Sequence, residues 1–155
     1  VEASPYKIFG AQATGCSPVA TAWKAGVDVV KPQKPNTIAK SLAIGNPADG
    51  PYAIDVANRT GGAIEDVTDD EVVAGIRLLA ETEGIFGETA GGVTIASLQK
   101  LLAKGLIDPN ADTVVLNTGD GLKTLDAVSG VVGPTATIPA SLEQFRAAVK
   151  EAGLS

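Results

Sequence analysis

The sequence has no histidine, no methionine, one cysteine and an aromatic content of only 4%. Without histidine there is no imidazole base and no histidine-based metal site, so a hydrolase triad would lack its usual proton carrier. Without methionine the chain does not begin at an initiator of its own, and it is expected to be a processed product or a piece of something longer. The lone Cys16 rules out an internal disulfide framework and favours a reducing, cytoplasmic setting. With no histidine to activate it, Cys16 reads as a small buried hydrophobe rather than a nucleophile. Basic residues are also outnumbered: 12 Lys and Arg against 18 Asp and Glu leave a net charge of -6. That argues against a nucleic-acid partner, whose surface needs clustered Lys and Arg. No apolar run approaches the roughly 20 residues that span a membrane, and no basic-then-apolar leader opens the chain.

What remains is the composition of a globular α/β protein, 155 residues with 45% apolar and 19% charged side chains. Residues 1–155 are the length of one domain, long enough to bury a sizeable core. Residues 6–12 read as a strand. Ser17 and Pro18 then form an N-cap and a first helical position, and Gly26 a helix stop. Residues 31–35, with two prolines and two lysines, make an extended surface connector. Residues 37–45 are too short and mixed to assign. Pro51 starts a helix carrying Ile54, Val56 and Ala57, and residues 63–67 are a short strand with an acidic end. Thr68 and Glu71 have capping-box spacing ahead of a helix whose inward stripe is Val72, Ile76, Leu79 and Ala80, ended by Gly84. A second long helix follows Gly91 and Gly92, apolar on a wide arc through Val93, Ile95, Ala96, Leu98, Leu101 and Leu102.

Residues 113–117 are expected to be a buried parallel strand, delivering Thr118-Gly119-Asp120-Gly121 into a ligand crevice at its tip. Residues 129–140 read as a short strand plus loop. Ser141 and Gln144 open a terminal helix, with Leu142, Phe145, Ala148 and Val149 expected inward. Strands alternating with helices define the fold class: α/β, a mainly parallel sheet covered by helices. The long Pro-rich connections point to a piece of a larger α/β enzyme.

Locally the candidate chemistry stays open. Thr118-Gly119-Asp120-Gly121 fits a phosphate-binding turn or a plain strand-to-helix turn, and it matches neither a Walker loop nor a dinucleotide fingerprint. Glu88, ahead of Thr89-Ala90-Gly91-Gly92, reads as a helix-start acid favoured by the dipole. Glu65, Asp66, Asp69, Asp70 and Glu71 lack the alternation of a calcium loop and read as a solvated helix start.

Taken together, the motifs resemble one family. Phe9-Gly10-Ala11-Gln12-Ala13-Thr14-Gly15 is similar to the G-x-Q-A-x-G strand and turn of threonine synthases. Thr37-Ile38-Ala39-Lys40-Ser41-Leu42-Ala43-Ile44-Gly45-Asn46-Pro47 resembles their T-I-A-x-x-x-x-I-G-N-P segment. Ile85-Phe86-Gly87-Glu88-Thr89-Ala90-Gly91-Gly92 resembles G-[IV]-F-x-E-x-A-G-G, and Thr118-Gly119-Asp120-Gly121-Leu122-Lys123 resembles T-G-H-G-L-K.

The resemblance implies the carboxyl-terminal portion of a pyridoxal 5'-phosphate lyase with the tryptophan-synthase-like fold. The parent would convert O-phospho-L-homoserine and water to L-threonine and phosphate. By the same resemblance, Thr118 would bond the cofactor's pyridine nitrogen and Gly119 would keep the strand tip open. Ser41 would bring backbone close to the ring, and Glu88 would lie near the site. The family's Schiff-base lysine and phosphate cup fall upstream of this chain, and none of its own lysines has the required context. The isolated chain is therefore expected to be inactive and to hold the cofactor weakly or not at all. Asp120 stands where the family often has histidine. Expected partners are the missing amino-terminal part and, as an option, a second copy in a homodimer. Two alternatives compete: a serine/threonine dehydratase of the same fold, and a non-catalytic phosphate- or nucleotide-binding module.

Overall fold

The computed structural model describes residues 5–134 and 136–153. In chain order the elements are β1 (Phe9–Ala13), α1 (Pro18–Lys24), a 3-10 turn at Lys40–Leu42, α2 (Gly50–Thr60) and β2 (Ala63–Val67). Then come α3 (Asp69–Glu83), α4 (Thr89–Ala103), a 3-10 stretch at Gly121–Ala127 and α5 (Leu142–Glu151). β1 and β2 pair in parallel, from Phe9 opposite Ala63 to Ala13 opposite Val67. A parallel pair needs a long crossover, which runs here through α1 and α2.

The alternation of β2 sorts the helices onto two faces. Ile64 packs with Val19, Ala20 and Ala22 of α1 and Ile54 and Ala57 of α2. Ala63 packs with Leu101 of α4 and Ile107. Val67 joins Val72 and Ile76 of α3 with Val93 and Ala96 of α4, together with Ala39 and Val128. The α/β class with a parallel sheet covered by helices is thus present, with neighbouring strand residues serving opposite faces.

α3 and α4 cross at their glycines. A Cβ at Gly75 would lie 2.5 Å from the Gly92 carbonyl oxygen, and one at Gly92 2.5 Å from the Val72 carbonyl oxygen. Backbones this close admit no side chain. The start of α3 is the expected capping box: the Glu71 amide donates to the Thr68 hydroxyl (3.3 Å), and the Thr68 amide donates to the Glu71 carboxylate (2.7 Å). Gly84 ends α3 as expected.

Four expectations are corrected. β1 covers Phe9–Ala13 rather than 6–12, because its length is set by pairing with β2; Ile8 instead donates to the Thr60 hydroxyl (3.1 Å). Residues 113–117 carry no regular secondary structure and pair with no strand among the described residues, and Val114 and Leu116 are 86% and 70% exposed. Within 129–140 the described residues form turns and a bridge between Ser129 and Val132, and position 135 lies outside the described residues. α5 buries none of its residues, with Leu142 and Phe145 exposed. The common cause is that a strand or amphipathic face exists as such only when something packs on it. Ser141 supplies half of its expected box, accepting from the Gln144 amide (3.4 Å). No helix among the described residues is long and apolar enough to cross a membrane.

Candidate functional site

The start of α4 is held against the turn that follows residues 113–117. Gly87 bridges Asp120 in antiparallel fashion, the Glu88 amide donates to the Gly119 carbonyl (3.0 Å), and the Gly121 amide donates to the Phe86 carbonyl (2.8 Å). Thr124 adds a fourth tie, its hydroxyl accepting from the Thr89 amide (3.2 Å). Small residues make this approach possible. A Cβ at Gly121 would meet the Phe86 ring at 2.6 Å, and one at Gly91 would meet the Asn117 side-chain oxygen at 2.3 Å.

Glu88 occupies the cap position of α4 without capping it by a side-chain hydrogen bond. It is buried, and its carboxylate lies where a side chain at position 119 would stand, 1.9 Å from a Cβ built on Gly119. Thr118 is exposed beside this contact. Thr89, next to Glu88, is fully buried, and its hydroxyl has no hydrogen-bond partner among the described residues.

Ser41 lies elsewhere, exposed in the Lys40–Leu42 turn. That turn reaches the first region through an ion pair between Lys40 and Asp126 (2.8 Å). The pair raises the Lys40 ammonium and lowers the Asp126 carboxyl from their ordinary values. Of the four expected site residues, then, Glu88 and Gly119 touch, Thr118 adjoins them, and Ser41 sits on a separate segment.

The acidic stretch Glu65–Glu71 is not a solvated helix start throughout, since Glu65 and Asp66 belong to β2. Glu65 is 3% exposed and bonded to Lys24 (2.6 Å) and Lys104. Burial pushes its carboxyl up, but the hydrogen bonds from Lys104 and Lys24 outweigh that and hold it at about 2. Asp66 also pairs with Lys24, while Lys100 donates to Glu71 (2.9 Å) and to the Asp66 carbonyl (3.0 Å). Such buried charges require partners, and Lys24 of α1, Lys100 of α4 and Lys104 just past the end of α4 supply them. No group of three or more His, Cys, Asp or Glu among the described residues is placed to hold a metal. Cys16 is 1% exposed and burial pushes its thiol up, as befits a buried hydrophobe.

A concavity of about 960 Å³ lies on the other face, lined by Trp23, Val27, Val29, Ile54 and neighbours. It contains none of the expected site residues. The geometry of the α4 start is the better guide, because it brings together Glu88, Thr118 and Gly119, three of the four residues that the motifs single out. Sequence reasoning missed Asn117, Thr124 and Asp69. The last was counted as one acid of a helix start, and only its reach to Thr37 and Ile38 sets it apart.

Residues 2–119 match the family model described as "Pyridoxal-phosphate dependent enzyme". This chain belongs to that family. Among curated proteins it is similar to the threonine synthase of Methanocaldococcus jannaschii, 44% identical over 122 residues, which are 78% of this chain and 30% of that protein. It is similar also to the threonine synthase of Methanosarcina acetivorans, 34% identical over 92% of this chain and 36% of that protein. The chain therefore spans about a third of the length of these relatives. Among solved structures, threonine synthase from Escherichia coli shares the fold with a TM-score of 0.62 at 17% identity, covering 89% of this chain and 32% of that one. Maize serine racemase shares it with a TM-score of 0.56 at 17% identity, covering 81% and 39%.

Proposed function

We propose that this chain is the carboxyl-terminal portion of a threonine synthase whose complete polypeptide converts O-phospho-L-homoserine and water to L-threonine and phosphate. The observation that carries the reading is 44% identity to a threonine synthase along most of the chain. Bound pyridoxal phosphate would supply an electron sink, which lets protons leave the substrate's carbon chain and phosphate depart before water adds.

The residues present fit one wall of that group. Thr118 offers an exposed hydroxyl to the ring nitrogen, and a neutral hydroxyl there favours a less fully protonated ring than a carboxylate would. Gly119 keeps the turn tight against Glu88, whose carboxylate lies buried behind it. Thr89 adds a buried hydroxyl free to bond a ligand or water. Ser41 would approach from the turn tied to this wall by Lys40 and Asp126. The wall lacks a lysine in the family's Schiff-base context, so this chain alone is inactive in this reading.

The remaining polypeptide would cover the exposed apolar residues Val114, Leu116, Leu142 and Phe145, and a homodimer would form on the completed protein. The setting in this reading is the cytoplasm. The test supplies O-phospho-L-homoserine and pyridoxal phosphate to the complete polypeptide and to this chain alone. Phosphate release by the complete polypeptide only is the expected result. Release of 2-oxobutyrate from threonine without phosphate release from phosphohomoserine would instead make it a dehydratase, and turnover by this chain alone would overturn the division of labour.

A further inference from the structure

We propose that Asp69 is the positioning residue that holds segment 37–39 as a wall of the pyridoxal-phosphate site, an inference that rests on the reading above. Asp69 opens α3, where an acid is ordinarily explained by the helix dipole. Its neighbour Asp70 fits that explanation and is exposed. Asp69 does something more. One carboxylate oxygen accepts from the Thr37 hydroxyl (2.5 Å) and the other from the Ile38 amide (3.1 Å), across more than 30 residues of chain. The Thr37 hydroxyl in turn accepts from the Ala39 amide (3.1 Å), so a single carboxylate organises three consecutive donors. Charge-assisted bonds to both oxygens fix orientation as well as distance.

The location gives this clamp its consequence. Asp69 lies just beyond the carboxyl end of β2. Segment 36–39 is also anchored just beyond the carboxyl end of β1, where the Asn36 amide donates to the Gly15 carbonyl (2.9 Å). Ligands of open α/β sheets bind outside these strand ends. Ala39 is fully buried in the cluster formed by Val67, Val72 and Val93, and Ile38 packs against it. The segment is thus fixed by apolar packing on one side and by Asp69 on the other. It leads directly into the Lys40–Leu42 turn that carries Ser41 and meets Asp126. Loosening Asp69 would free the wall without touching the Glu88–Gly119 wall.

The experiment uses the complete polypeptide with Asp69→Asn, Thr37→Val, the double variant, and Asp70→Asn as control. Asparagine keeps the size of Asp69 but offers one acceptor for two donors. Titration with pyridoxal phosphate, followed by its visible absorbance, should show binding weakened about tenfold in either single variant. The absorption maximum should shift, and the double variant should be no weaker than the worse single, because the two residues act as one unit. Asp70→Asn should bind as wild type. Folded variants with a lower melting temperature but unchanged cofactor titration and absorption maximum would reduce Asp69 to a structural role and overturn the proposal. If Asp69→Asn fails to fold, Thr37→Val decides by the same readings. Wild type that takes up no pyridoxal phosphate overturns the functional reading and this inference together; wild type that binds while both variants bind equally well overturns this inference alone.

Discussion

Glu88 and Gly119 hold each other twice: the Glu88 amide donates to the Gly119 carbonyl at 3.0 Å, and the Glu88 carboxylate fills the space a side chain at position 119 would need. Replacing Gly119 by alanine puts a methyl group 1.9 Å from a carboxylate oxygen of a residue that is 7% exposed. Either the carboxylate is expelled or the backbone bond stretches. Gly119→Ala should destabilise the chain by about 1–3 kcal/mol, the usual range for overpacking. Glu88→Ala in the same molecule should recover part of that loss, giving a coupling of about 1 kcal/mol in a double-mutant cycle by urea denaturation. Strict additivity would mean that the two do not share the space.

The crossing of α3 on α4 makes a firmer demand, because the obstructing atoms are backbone. A Cβ at Gly75 would stand 2.5 Å from the Gly92 carbonyl oxygen and 3.2 Å from the Ala96 amide nitrogen. Alanine has the better helix propensity by about 1 kcal/mol, so on an unpacked helix Gly75→Ala would stabilise. Here the helices must separate, opening the cluster around Val72, Ile76 and Val93. The net expectation is a loss of about 2 kcal/mol and a melting temperature lower by several degrees. Calorimetry on the two proteins checks the sign, and a rise would show that the helices can part at little cost.

Features written within a few residues of each other were legible in the sequence. The Thr68–Glu71 box and the Gly84 stop are as read, because capping and chain reversal are decided by local hydrogen bonds and by the freedom of glycine. Among features that depend on a distant partner, the bounds of β2 were read correctly, but several others were not. Residues 113–117 carry the β-branched composition of a strand, yet composition cannot supply a pairing edge, and Val114 stays 86% exposed. Leu142 and Phe145 mark an apolar helix face with nothing buried behind it, for the same reason. At the site, motif resemblance singled out Glu88 and Gly119 without revealing that they touch. Asp69 was invisible because its partners Thr37 and Ile38 lie 32 and 31 residues upstream. Glu65 looked like a surface acid because its lysines, Lys24 and Lys104, are 41 and 39 positions away.

That buried carboxylate sets an acid limit on the fold. Glu65 is held at about 2 against an ordinary 4.5, so its charged form is favoured by folding. A carboxyl lowered in the folded state contributes stability in full above its unfolded value, and the contribution disappears as pH falls toward the folded value. The window is therefore pH 4.5 down to about 2. The full shift would correspond to roughly 3 kcal/mol. Lys24 and Lys104 are 40% and 49% exposed, so solvent screening brings the expectation to about 1–3 kcal/mol. Glu65→Gln keeps the shape but gives up both ion pairs. It should lower the urea midpoint at pH 7 and flatten the fall in stability between pH 5 and pH 2.5, the two proteins converging at the acid end. Parallel curves separated by a constant offset would assign the acid sensitivity to other carboxylates, with Asp66 and Glu71 the next to replace, since both are also lowered against their burial by lysine partners.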